Sequence, residues 1–277
     1  VHILDEIALR KAWERAVLAS AMDGNLRARP DLEFVPDDEV LERARGYLSD
    51  GGCEREGVRS LSRALRTDRL EVIAELKRRS PSAGSFGSWR EPEPLARRYA
   101  TGGAAAASVL TDVRYFDGRP GFLPRVRAVF PGPILRKDFL ADEQDLAVSA
   151  ALGADAVLLI VAMLGPELDE LMALCPEYGL EALVEVHDEA ELDRALVAGA
   201  TLLGVNNRDL RTFEVDLGTA ERLADLVPEE ALLVAESGIR SEIDAGRMRD
   251  AGADAVLVGE SLVRGQASLD LLRVPKP

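Results

Sequence analysis

Along most of the chain, short runs of Val, Ile, Leu and Ala alternate with longer stretches in which apolar residues recur every three or four positions. The short runs cover 72–77, 106–111, 134–138, 156–161, 180–186, 202–206, 232–237 and 255–259. Near-continuous apolar runs bounded by turn residues predict strands of a parallel sheet buried on both faces. Between them, sets such as Leu192, Ala195, Leu196 and Gly199, or Leu168, Leu171, Met172 and Leu174, predict helices. Strands alternating with such helices form βα units joined by crossovers. Gly102-Gly103-Ala104, Gly153-Ala154-Asp155, Gly199-Ala200-Thr201 and Gly252-Ala253-Asp254 each precede a strand, where glycine ends a helix in a left-handed cap. Eight units at intervals of roughly 25 residues predict a closed (β/α)8 TIM barrel rather than an open doubly wound sheet.

The first 65 residues depart from this rhythm. Residues 3–21 predict an amphipathic helix carrying Ile3, Ile7, Trp13 and Val17. Residues 36–48 predict another, with Asp37 and Asp38 at its positive N-terminus. We read 1–65 as an N-terminal helical extension that caps the barrel or partly covers its mouth, and 66–277 as the catalytic barrel domain.

Composition narrows the classes. With 277 residues, 47% apolar, the chain can bury a sizeable core as one barrel. A formal net charge of −15 argues against nucleic acid or an anionic membrane as partner, so any phosphate site must be built locally. No apolar run approaches transmembrane length and no secretory stretch opens the chain, so a cytoplasmic protein is expected. Cys53 and Cys175 are too far apart for a zinc motif or a disulfide framework, and Cys175 is expected to pack in the helix of 171–174. With two histidines and no clustered ligands, no catalytic metal is expected.

Barrel active sites form at the C-terminal ends of the strands. There the chain places Glu75 and Lys77 (two apart, hence on one face), Lys137, Glu185, Asn206 and Glu236. A salt network at the barrel mouth would account for any one of them, but six converging on one rim point to chemistry, because buried ionisable groups are costly without it. Lysines among glutamates supply both a proton donor and a proton acceptor. Ser237-Gly238 and Gly259-Glu260-Ser261 follow the last two strands, where barrels commonly bind phosphate through backbone N–H groups. Ser80 and Ser82 could add hydroxyl donors. His187, directly before the helix-start pattern of Asp188 and Glu191, reads as a loop residue beside a cap rather than a base. Trp89 reads as rim packing.

The segment from Ile73 to Ser82, with its Glu-x-Lys-x-x-Ser-Pro-Ser pattern, resembles the first-strand signature of indole-3-glycerol-phosphate synthases. Later blocks agree in order and spacing: Ser108-Val109-Leu110-Thr111, Leu135-Arg136-Lys137-Asp138-Phe139, Leu183-Val184-Glu185-Val186, Asn206-Asn207-Arg208-Asp209-Leu210 and Ala235-Glu236-Ser237-Gly238. The resemblance covers 58–265. It implies ring closure of 1-(2-carboxyphenylamino)-1-deoxyribulose 5-phosphate to indole-3-glycerol phosphate, with loss of CO2 and water, in tryptophan biosynthesis and without a cofactor. By the match, Lys137 is the general acid on the substrate carbonyl. Glu185 and Lys77 handle proton transfer in the dehydration, with the division of acid and base between them left open. Glu75, Asn206 and Glu236 stabilise cationic intermediates, and Arg208 orients the carboxylates and the substrate. Pro81, Phe116, Phe139, Leu158 and Ile160 are placed around the anthranilate ring and Arg78 against its carboxylate. Ser80, Ser237, Gly238, Gly259 and Glu260 complete the substrate contacts. A monomer or weak homo-oligomer is expected.

The chain departs from the family pattern at Leu61, where phenylalanine is common, at Arg119, where serine is common, and in a longer polar stretch over 21–57. Phosphoribosylanthranilate isomerase shares the fold but needs a cysteine on the first strand and an aspartate on the fifth. A Schiff-base aldolase could use Lys137. A non-catalytic scaffold barrel has no physical reason to keep the buried charges.

Overall fold

Eight parallel strands close on themselves in sequence order: β1 (Glu71–Leu76), β2 (Ala106–Leu110), β3 (Ile134–Lys137), β4 (Ala156–Ile160), β5 (Glu181–Val186), β6 (Leu202–Asn206), β7 (Leu232–Glu236) and β8 (Ala255–Val258). β8 pairs with β1, so the sheet has no edge. These are features of a computed structural model that describes residues 6–7, 9–12, 14, 38–49, 57–81, 84–86 and 89–276. Ile3, Trp13, Val17, Asp37, Cys53 and Ser82 lie outside the described residues. Among those described, no helix is long and apolar enough to cross a membrane.

Every predicted strand lies within one residue of an observed one at either end. Helix-ending glycines Gly103, Gly153, Gly199 and Gly252 have φ between 81° and 98°, as the repeated junction requires. A two-stranded antiparallel pair, Arg79–Ser80 with Gly84–Ser85, follows β1 and carries no periodic signal in the sequence. Cys175 is buried, in a 3-10 turn (Cys175–Tyr178) that continues the helix Glu167–Leu174.

The alternation of side chains along each strand splits the apolar residues into two cores. Val72, Ala74 and Leu76, like Leu233 and Ala235, pack outward against the helical layer. Ile73, Leu135, Leu158, Leu183, Leu202, Val234 and Leu257 form a separate cluster inside the barrel. The helix Leu61–Leu65 joins that inner cluster through Leu61 and Leu65, both fully buried. It is held where the strands begin: Ser62 donates from N and Oγ to Glu181 Oε2, both at 2.7 Å, and Arg59 N donates to Asp155 Oδ1 at 3.0 Å. Leucine therefore serves where the family commonly has phenylalanine, by plugging the strands' N-terminal end with apolar surface.

The extension also reaches the opposite end. Lys11 is buried, and its Nζ lies 2.7 Å from Asp138 Oδ1, 2.9 Å from Asp112 Oδ2 and 2.9 Å from Glu14 Oε2. Asp138 directly follows β3 and Asp112 is the second residue after β2, so this one ammonium pins the first helix across two strand ends. Asp138 is further bound by Arg136 at 3.0 Å and Thr111 at 2.6 Å. The helix of 38–49 instead lies outside the barrel, with Val40 and Ala44 buried and Tyr47 against Tyr178 at 6.4 Å between ring centroids.

Removing one partner of a buried ion pair strands the others. Lys11→Met should lower stability to urea by about 3 kcal/mol. In a double-mutant cycle with Asp112→Asn, the combined loss should be smaller than the sum. Additive losses would show that Lys11 does not hold the helix through Asp112.

Candidate active site

On five strands, the inward position nearest the C-terminal end carries a polar group where the preceding inward position is apolar or glycine. Glu75 follows Ile73, Lys137 follows Leu135, Glu185 follows Leu183, Asn206 follows Gly204 and Glu236 follows Val234. The period of two that builds the inner core thus aims all five side chains into one space. With Lys77 they line a cavity of about 480 Å³ at that end of the barrel.

Lys137 stands among the carboxylates. Its Nζ donates to Glu236 Oε2 at 2.5 Å and to Glu185 Oε2 at 3.3 Å. Glu185 Oε1 accepts from Asn206 Nδ2 at 3.0 Å, and Asn206 Oδ1 in turn accepts the backbone N–H of Arg208 at 3.0 Å. Lys77 Nζ forms an ion pair with Glu75 Oε2 at 2.5 Å and lies over the Phe86 ring, 5.5 Å from its centroid. Gly204 leaves the room that Glu236 occupies, since a Cβ there would run into Glu236 Oε1. That oxygen accepts no hydrogen bond from the described residues.

Phe116 and Phe139, 6.0 Å apart between centroids, form one wall with Leu158, Ile160 and Pro81. Ser237, Gly238, Gly259, Glu260 and Ser261 form another part of the lining. Ser237 (φ 60°) and Gly238 (φ 85°) both have left-handed backbone in the turn that follows β7. Only glycine suits position 238, because a Cβ would meet Val215 and Leu217. Glu260 extends to Arg264 at 3.1 Å, which draws its charge toward that guanidinium. Arg208 and Arg240 both line the cavity. Burial lowers the pKa of Arg208, and the charge of Arg240 adds to that effect, so an arriving anion relieves both.

Of the described residues expected to contact substrate or act in catalysis, Arg78 alone does not line the cavity. Its guanidinium lies 3.0 Å from Asp117 and over the rings of Trp89 and Phe122, each at 5.7 Å. Arg208 donates from Nη1 to Phe213 O at 2.9 Å. Ile7, Tyr115, Phe213 and Arg240 line the cavity without having been singled out. Ile7 sits in an extension with no repeat to place it, Tyr115 in a short helix (Val113–Phe116) after β2, and Phe213 and Arg240 in loops. His187 does begin a capping box, its N–H donating to Glu191 Oε2 at 2.8 Å and Glu191 N donating to Asp188 Oδ1 at 2.9 Å. Its Nε2, however, lies 3.4 Å from Glu185 Oε1. The period-two pattern carries a signal for this proximity, since 185 and 187 share a face.

The family model for indole-3-glycerol phosphate synthase matches residues 51–273. The chain belongs to the indole-3-glycerol phosphate synthase family. An indole-3-glycerol phosphate synthase of Chlorobium phaeobacteroides is 48% identical over 89% of this chain and 90% of its own. One from a Parafrankia strain is 52% identical over 73% of this chain and 75% of its own, and indole-3-glycerol phosphate synthase 2 of Streptomyces coelicolor is 48% identical over 80% and 86%. As a member of this synthase family the chain is a carboxy-lyase of tryptophan biosynthesis.

The electrostatics of this synthase site follow from burial. Burial by itself lowers the pKa of Lys137, but Glu236, Glu185 and Glu75 together raise it well above the ordinary lysine range. A lysine that donates a proton near neutral pH works best with its pKa lowered, and here the carboxylates reverse that sign. Burial raises Glu185, yet Lys137 and His187 outweigh it and hold the carboxyl below the usual range. Glu236 is pushed up to about 7 by burial, which with Glu185 and Glu75 overcomes the opposing pull of Lys137.

For Glu236 the consequence for stability has a definite sign. Below pH 4.5 both folded and unfolded states are protonated, and from 4.5 to about 7 the unfolded chain releases a proton that the folded one keeps. Stability from this group is therefore lost as the pH rises toward 7, and Glu236→Gln escapes the loss. The Tm of the variant relative to wild type should climb across that interval and level off above it, by on the order of 1–3 kcal/mol in stability. A flat difference would mean that Glu236 is ionised throughout.

Proposed function

We propose that this site closes the indole ring of 1-(2-carboxyphenylamino)-1-deoxyribulose 5-phosphate with Lys137 as the general acid. The observation that carries the reading is the Lys137 ammonium held between Glu236 and Glu185, in a cavity with an aromatic wall and with Ser237, Gly238 and Gly259 in its lining. The anthranilate ring packs on Phe116, Phe139, Leu158, Ile160 and Pro81. The phosphate takes the backbone donors at Ser237-Gly238 and Gly259-Glu260, with Arg208 beside it and Ser80 at the rim. Arg78 meets the substrate carboxylate by exchanging Asp117 for it, one carboxylate for another.

Substrate entry displaces part of the carboxylate cage. Burial then dominates at Lys137 and drives its proton onto the ketone oxygen as the ring carbon attacks. Decarboxylation restores the aromatic ring. Glu185 and Lys77 carry the proton transfers of the dehydration, while Glu75, Glu236 and Asn206 stabilise the cationic intermediates in a preorganised, dry site. A Schiff-base route needs a neutral amine, and the cage keeps Lys137 charged. The reading carries a small phosphosugar–anthranilate substrate, no nucleic-acid or membrane partner, a cytoplasmic setting and a monomer or weak homo-oligomer; the net charge of −15 supports the first exclusion.

Fluorescence-detected formation of indoleglycerol phosphate tests this. Wild type should turn over, and Lys137→Ala and Glu185→Gln should each fall by roughly 10²–10⁴-fold in kcat, as expected for lost acid–base groups. A folded wild type that yields no product would overturn the reading.

A further inference from the structure

The reaction consumes a proton. The ketone oxygen leaves as water and takes up two protons, of which the sugar carbon beside the nitrogen supplies one when the ring double bond forms. The ionised carboxylate leaves as CO2; its electron pair stays with the ring and no proton comes with it. One proton per turnover therefore enters from solvent, at a moment when substrate fills the cavity above Lys137.

His187 offers a route that avoids the cavity. It is the first residue after β5 and is largely buried, and although Glu185 lines the cavity, His187 does not. Its Nε2 faces Glu185 Oε1 at 3.4 Å, and Nδ1 lies 2.9 Å from Glu191 Oε2, whose side chain is 21% exposed. The same Glu191 oxygen accepts the backbone N–H of His187, which holds that carboxylate against the Nδ1 edge of the ring. Glu185 Oε2 in turn lies 3.3 Å from Lys137 Nζ. Solvent edge, imidazole, carboxylate and ammonium thus stand in one line of contacts.

We propose that His187, seated on Glu191, returns the proton consumed in each turnover to Lys137 by way of Glu185. This rests on the reading of Lys137 as the acid. Burial lowers the pKa of His187, but its contacts with Glu185 and Glu191 push it up to about 10, so the ring begins each cycle as imidazolium. Glu185 does not take that proton while Lys137 is charged. Once Lys137 has given its proton to substrate, the cation holding Glu185 ionised is gone, and burial raises its affinity for a proton. The Nε2–H bond of His187 then breaks as an O–H bond forms on Glu185. The carboxyl rotates, its O–H breaks and an N–H forms on Lys137. The neutral ring, left with Nδ1–H, turns about its Cβ–Cγ bond, takes a proton from solvent at Nε2 and turns back to face Glu185, which restores the imidazolium.

The test measures turnover of wild type, His187→Ala and Glu191→Gln at neutral pH in a weak, dilute buffer, with and without added imidazole. His187→Ala should lose about tenfold or more in kcat, in the range of a lost proton-transfer group, with KM within about twofold of wild type. Imidazole should restore much of its rate and leave wild type unchanged. Glu191→Gln should show a smaller loss with the same buffer dependence, and it decides the matter if His187→Ala does not fold. An active wild type beside variants that keep full kcat, or lose it regardless of buffer, would overturn the relay alone. An inactive wild type would instead remove the synthase reading.

Discussion

Lys137 and the carboxylates of Glu236, Glu185 and Glu75 are largely buried together at the C-terminal end of the barrel, and the rest of the site is arranged around their mutual constraint. Each of these charges would be costly to bury alone. Together they fix one another's protonation: the lysine keeps Glu185 ionised, the carboxylates keep the lysine charged, and Glu236 is left with an affinity for protons near neutrality. A site balanced in this way responds strongly to an incoming anion or cation, because removing one contact changes the preferred state of the others.

That balance requires the barrel to be sealed below and walled above. Leu61 and Leu65 seal the strands' N-terminal end with apolar surface, and Ile7 completes the wall at the other. The two attachments use opposite physics. The plug is held by burial, whereas the first helix is held by Lys11 between carboxylates that could not stay buried without it. The N-terminal segment is therefore bound into the catalytic end by the same kind of charge compensation as the site itself.

The sequence carried the strands and the polar side chains of the cavity because both obey one rule. Inward positions recur every two residues, and the last of them turns polar at Glu75, Lys137, Glu185, Asn206 and Glu236. The left-handed turn at Gly238 was legible because such backbone favours glycine. What lay beyond the sequence has a physical reason too. Arg78 turns to Asp117 through a contact between separate loops, the hairpin after β1 has no period, and Ile7 reaches the cavity only because Lys11 is anchored far along the chain. His187 satisfied a local capping pattern, which accounted for its backbone and one ring nitrogen and left the other out of view.

Gly204 gives the site a component with no atoms. The Glu236 carboxylate sits where a methyl group on the neighbouring strand would be, so β6 contributes to the chemistry by leaving a space as well as by presenting Asn206. Transplanting the six polar side chains onto another barrel would reproduce the charges but not their packing unless this void came with them. A functional group list for this fold is therefore incomplete until it records where a side chain is missing.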